Sequence, residues 1–186
     1  MEMSSWKDWL DCSPIEWLLE KRNPSVRYFA LRELLDKGED EHLVREAKMA
    51  IGSMEEIQKI FKRQKSGGHW LESWNPYLPK YKASYWQVMV LGQLGLDREH
   101  ERARGACEYV LGLQLRNGGF SMYTVEAAKQ ERGKAKQRVT GRKTSSEMRI
   151  RAESLVGENE YSCLTGNLVA AFFRMGYHDD ARVRRA

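Results

Sequence analysis

The stretch "QKSGGHW" (residues 64–70) decides how this chain is read, because "QLRNGGF" (residues 114–120) repeats its pattern fifty positions later, 114 minus 64. Each places a glutamine, a glycine four positions on, and an aromatic ring two after that: Gln64, Gly68 and Trp70, then Gln114, Gly118 and Phe120. Each closes an amphipathic run, "IQKIFKRQ" (57–64) and "ERARGACEYVLGLQL" (101–115). A glycine just past a helix accepts the left-handed backbone that ends it, and an aromatic ring anchors the loop that follows. The glutamine amide can bond backbone groups freed at the helix end. The pattern therefore reads as a helix stop and a tight reversal into the next helix.

Working outward, three segments align on an apolar run followed by an acidic turn: "LRELLDKGEDEHLVREA" (31–47), "LGQLGLDREHERARGA" (91–106) and "FFRMGYHDDARVRRA" (172–186). Each predicts a helix, a polar turn and a second helix. Gly95 and Gly176 stand where a helix C-terminus needs left-handed geometry, and Asp97, or Asp179 and Asp180, stand where an N-cap accepts backbone N–H bonds. In the second segment the first helix, about residues 84–94, holds "YWQVMVLGQL" without a charge and is expected to be buried, an inner helix. The second, about 99–115, carries an apolar stripe of Ala103, Ala106, Cys107, Val110 and Leu111 ending at Gln114, with charge opposite, an outer helix. The first segment predicts the same contrast, "VRYFALRELL" followed by a long amphipathic stretch that ends in "IQKIFKRQ".

On these residues the chain resembles the squalene and terpenoid cyclases and the related protein prenyltransferases, whose QW repeat places Gln-x-x-x-Gly-x-Trp at the end of an outer helix. "QKSGGHW" matches all three defining positions, and "QLRNGGF" matches with Phe120 in place of tryptophan. The likeness runs from about Asn23 to Ala186 apart from one insert, and it speaks to fold more than to activity. It implies an all-α fold, an α/α toroid of inner and outer helices, built here as one domain over residues 1–186. About six hairpins close such a toroid by this resemblance, and two and a half are visible, so the expectation is a piece of a longer protein or an open arc. In an open arc, another copy of the chain or a protein partner would cover the exposed inner faces.

The chemistry of the two parent families is not legible. Cyclases protonate an alkene from a D-x-D-D motif, which this chain does not contain, and "HDD" (178–180) falls in a turn where helix capping is the expected role. Prenyltransferases hold zinc with an Asp, a Cys and a His; Cys163 precedes the run "LTGNLVAAFF", but no Asp and His join it at the family's spacing. No metal and no cofactor is expected. What the resemblance does imply is a ligand cavity: Trp70, Trp74, Tyr77, Tyr81, Tyr85 and Trp86 cluster near the entrance of the second inner helix, with His69 among them. Trp74, Tyr77, Tyr85 and Trp86 are the candidate ligand residues, an aromatic wall for an isoprenoid or other apolar guest.

Cys12, Cys107 and Cys163 form no C-x-x-C pair, so reduced thiols are expected rather than a disulfide framework. The first residues carry no signal-like pattern, and apolar runs such as "LVAAFF" are too short for a membrane span, which predicts a cytoplasmic protein. The net charge is +5, but nine basic residues between Lys129 and Arg151 face only Glu131 and Glu147, so this run holds +7 and the remainder −2. It lies in an insert, about residues 124–160, that has no aromatic residue; a solvated mobile loop is expected rather than a nucleic-acid site, which would want rings for base stacking. Within it "SSEMRIRAESL" (145–155) reads as a short helix. The rival reading is a HEAT-like helical scaffold for protein–protein interaction, suggested by "NPSVRYFALRELL" (23–35), although such repeats have no need of a glutamine-glycine-aromatic junction.

Overall fold

The computed structural model describes residues 13–125, 127, 156 and 160–186, and among them it is all-α, with no strand. The helices are α1 (Ile15–Leu18), α2 (Pro24–Phe29), α3 (His42–Ile51), α4 (Glu55–Lys62), α5 (Ser84–Gln93), α6 (Glu101–Leu111), α7 (Ser162–Arg174) and α8 (Ala181–Arg185). The sequence reads as one domain, whereas the contacts group into two compact units, Met1–Gln58 and Lys59–Ala186, with the division inside α4.

In the first unit α2 begins with Pro24, whose missing N–H costs nothing at a helix start, and runs on as a π-turn over Ala30–Leu34. The wider turn shows in Leu35 N–H donating to Ala30 C=O five residues back. Asp36, with φ 50°, then reverses the chain; aspartate is among the few residues that tolerate this geometry. α2 packs on α3, burying Leu31, Val44, Ala47 and Ile51, while Arg27 pairs with Glu46 at 3.1 Å. The long amphipathic stretch expected after this segment is not one helix. α3 stops at Ile51, residues 52–54 turn, and α4 restarts at Glu55, with the Gln58 side chain donating to the Gly52 carbonyl.

In the second unit α5 carries no charge and packs against both α6 and α7. Its backbone comes so near α7 that a Cβ on Gly92 would lie 3.1 Å from the Ala171 carbonyl. The apolar stripe read on α6 is the buried one: Ala103, Ala106, Cys107, Val110 and Leu111. Each helix pair turns at the expected glycine, Gly95 with φ 88° and Gly176 with φ 83°. In each turn the next residue's N–H reaches back five positions, Leu96 to Leu91 and Tyr177 to Phe172, both near 3 Å, the bonding of a helix end closed by a left-handed residue. Asp180 is the N-cap of α8, its carboxylate accepting from Arg182 N–H at 2.8 Å, which is the capping role expected of "HDD". Asp179 instead pairs with Arg98 at 3.0 Å.

The basic run 129–151 and the helix read at 145–155 lie outside the described residues. The insert's two flanks are close: Ser121 and Glu160 form an antiparallel bridge, and Tyr161 N–H donates to Phe120 C=O at 3.0 Å. No helix of the described residues is long and apolar enough to cross a membrane.

Candidate functional site

Both glutamine-glycine-aromatic motifs form the same hydrogen-bonded junction. Gln64 Nε2 donates to Gly68 C=O at 3.1 Å and to Arg102 C=O, in the first turn of α6, at 3.0 Å. Gln114 Nε2 donates to Gly118 C=O at 2.7 Å and to Arg182 C=O, in the first turn of α8, at 2.8 Å. Lys65 N–H meets His69 C=O at 2.8 Å, and Leu115 N–H meets Gly119 C=O at 2.9 Å. Gly68 and Gly118 have φ of 81° and 100°. The aromatic residues dock through their backbone: Trp70 N–H donates to Ser84 Oγ at 3.0 Å and Phe120 N–H to Thr165 Oγ1 at 2.9 Å, the hydroxyls standing in the first turns of α5 and α7.

The amide therefore does more than serve its own helix end: it reaches forward to α6 in one junction and α8 in the other, with an arginine returning a bond to each glutamine oxygen, Arg102 at 3.1 Å and Arg185 at 2.9 Å. At the first junction the indole takes up a carbonyl of α4, Trp70 Nε1 to Ile60 at 2.8 Å, a bond Phe120 has no donor to copy. Sequence reasoning missed Ser84 and Thr165. A hydroxyl in the first turn of α5 and of α7 was the available signal.

The four candidate ligand residues do not form one wall. Tyr85 is 1% exposed, donates its hydroxyl to Ser121 C=O at 3.2 Å, and meets Phe120 edge-on at 6.1 Å between ring centres. It belongs to the core with Phe172, and burial pushes its phenol well above the ordinary range. Trp86 and Tyr77 do meet, centroids 5.4 Å apart, with Trp86 Nε1 donating to Tyr77 C=O at 2.8 Å. Tyr81 joins them 4.9 Å from Trp86. Trp74 is half-buried, its carbonyl accepting from Thr124 Oγ1.

Two clefts open beside these elements. One of about 500 Å³ is walled by Ile60, Trp70, Leu71, Tyr81 and Val90, with Lys59, Arg63, Lys82 and Gln87 around it and no carboxylate in its lining. The other, about 650 Å³, runs over the backbone of Gly67, Gly68 and Gly105 between charges of both signs. Several of its lining side chains are already engaged, among them Arg102 with Gln64 and Glu108 with Arg182 at 2.8 Å. Trp74, Tyr77, Tyr85 and Trp86 line neither; of the aromatic group, Trp70 and Tyr81 line the smaller one.

Among the described residues no group of three His, Cys, Asp or Glu side chains converges as metal ligands. Cys107 is buried against Met175, 3.5 Å between sulfurs, and burial pushes its thiol up to about 12, which leaves no thiolate for nucleophilic work. Cys163 is exposed at the start of α7. Compared with known proteins, the chain matches no family model, no curated protein and no solved structure.

Proposed function

We propose that this chain is an arc of α/α-toroid hairpins, similar to those of squalene cyclases and protein prenyltransferases, that binds an isoprenoid or other apolar ligand without either parent reaction in these residues. The observation that carries the repeat reading is the duplicated junction. Two segments fifty residues apart make the same amide, glycine and hydroxyl bonds to the same parts of their neighbouring helices. An evolved repeat accounts for that economy, whereas a single helix stop accounts for one junction only. The cleft walled by Ile60, Leu71, Tyr81 and Val90 supports the ligand reading, since it is concave and mostly apolar.

The test is calorimetric titration of the purified chain with monomeric farnesol, followed by incubation with squalene and with prenyl diphosphates. One farnesol per chain and no product beyond a single turnover are expected. Multiple turnover would overturn the non-catalytic part, and absence of farnesol binding would overturn the ligand part.

A scaffold for protein–protein interaction is the second reading, supported in the first unit by exposed Trp17 (64%), Leu43 (46%) and Met49 (77%). It predicts that serine at these three positions abolishes self-association in sedimentation velocity and leaves the farnesol titration unchanged. A parent chain that stays monomeric at high concentration removes the homo-oligomeric form of this reading.

A further inference from the structure

Leu71 and Tyr81 are non-glycine residues held in the left-handed region, with φ of 56° and 64°, and both line the same cleft. Both are also exposed, by 44% and 73%. For a bulky side chain this backbone costs free energy and persists only where its surroundings over-determine it. At Tyr81 those surroundings are explicit: its carbonyl accepts from Gln87 Nε2 at 2.7 Å, and its ring rests on Trp86. Strain that buries an apolar side chain would stabilise the fold; here it holds two apolar side chains toward water. A guest that covers them accounts for the expense.

The charges beside them say what kind of guest. Arg63 and Lys82 line the cleft with Lys59, and among the described residues the Arg63 and Lys82 side chains make no ion pair. At about 500 Å³ the cleft falls within the roughly 300–1,000 Å³ of small-molecule sites. We propose that it binds a monomeric anionic amphiphile, whose tail lies along Leu71, Tyr81 and Val90 and whose phosphate or carboxylate head is held by Arg63 and Lys82. A guanidinium fork and an ammonium suit either head. This assignment rests on the ligand-binding reading given above and narrows it to an anionic class.

The test is calorimetric titration, below micelle-forming concentrations, with dodecyl phosphate, dodecanoate, dodecanol and inorganic phosphate. Dodecyl phosphate or dodecanoate should bind once per chain, at least tenfold tighter than dodecanol, with no measurable binding of inorganic phosphate. The Arg63→Ala/Lys82→Ala variant should lose at least tenfold in affinity for the anionic amphiphile and keep the dodecanol affinity. Tyr81→Gly, which suits the left-handed backbone and should therefore fold, should weaken all three chain-bearing ligands. Equal affinity for dodecanol and dodecyl phosphate, unchanged in the double variant, would overturn the anionic head and leave the apolar-ligand reading intact. No binding by any chain-bearing ligand, affinity unaltered in Tyr81→Gly, or inorganic phosphate binding as well as its ester would overturn the site itself.

Discussion

Gly68 and Gly105 face each other across the first junction, and alanine at the two positions should act in opposite directions. At Gly68 the backbone has φ 81°, and an added Cβ would sit less than 3.0 Å from the Gly105 carbonyl, a backbone atom of α6 that cannot swing aside. The left-handed conformation costs an alanine about 1–2 kcal/mol, and overpacking against a fixed neighbour adds about 1–3 kcal/mol. Together, Gly68→Ala should lose roughly 2–5 kcal/mol, a large share of the about 5–15 kcal/mol of a typical domain. A Cβ on Gly105 meets nothing within 4 Å. There, in the interior of α6, Gly105→Ala should gain about 0.5–1 kcal/mol by helix propensity. Urea titration followed by tryptophan fluorescence reads both; at a slope of about 2 kcal/mol per molar, the Gly68→Ala midpoint should fall by roughly 1–2.5 M. Gly118→Ala, whose Cβ would meet the Arg185 carbonyl in the same way, should behave like Gly68→Ala. A Gly68→Ala protein as stable as the parent would refute the junction geometry, and a Gly105→Ala protein equally damaged would place the sensitivity in α6 rather than in the junction.

Trp70, only 2% exposed, should cost about 3–5 kcal/mol on replacement by alanine, whereas alanine at half-buried Tyr77 should cost far less; chemical denaturation of the two variants compares them. His100 stacks on Phe61 at 4.7 Å with its Nδ1 buried and unpartnered, and desolvation, then the Arg102 charge, hold it below the ordinary histidine value. The unfolded chain therefore takes up this proton first, so stability should be level above pH 6.5 and fall as pH drops through and below it. His100→Gln should flatten that slope in thermal melts; an unchanged slope assigns it to another group. Because Ser121 and Glu160 already bridge, replacing residues 129–151 with a short Gly/Ser linker should leave the thermal midpoint nearly unchanged, and a large fall would show that the run contributes to the fold.

Much of the helix framework was legible because its signals are local. A charge-free run gives α5, the spacing of Ala103, Ala106, Cys107, Val110 and Leu111 gives the buried face of α6, and Gly95 and Gly176 mark the turns. The break between α3 and α4 was not legible, since the apolar period continues through "EAKMAIGSMEEIQKIF" (46–61) and a lone glycine is tolerated inside a helix. Nor was the division between Tyr85 and Trp86. On a helix without a charge no polar stripe says which side faces the core, and Tyr85 is drawn inward by Phe120 and the Ser121 carbonyl, contacts more than thirty residues away in the chain. The cleft was hidden for a different reason. Leu71 and Tyr81 carry no sequence mark of a left-handed backbone, because neither is glycine or asparagine, and it is that backbone which sets them at its wall.

The central claim is that one junction is built twice, and the most direct measurement of it compares the urea denaturation of Gln64→Ala with that of Gln114→Ala. Each substitution removes an amide that donates to a glycine carbonyl and to a carbonyl in the first turn of a later helix, α6 or α8. Each should therefore cost about 1–3 kcal/mol, with the two losses alike to within about 1 kcal/mol. A loss at one position and none at the other, or parental stability in both, would contradict it.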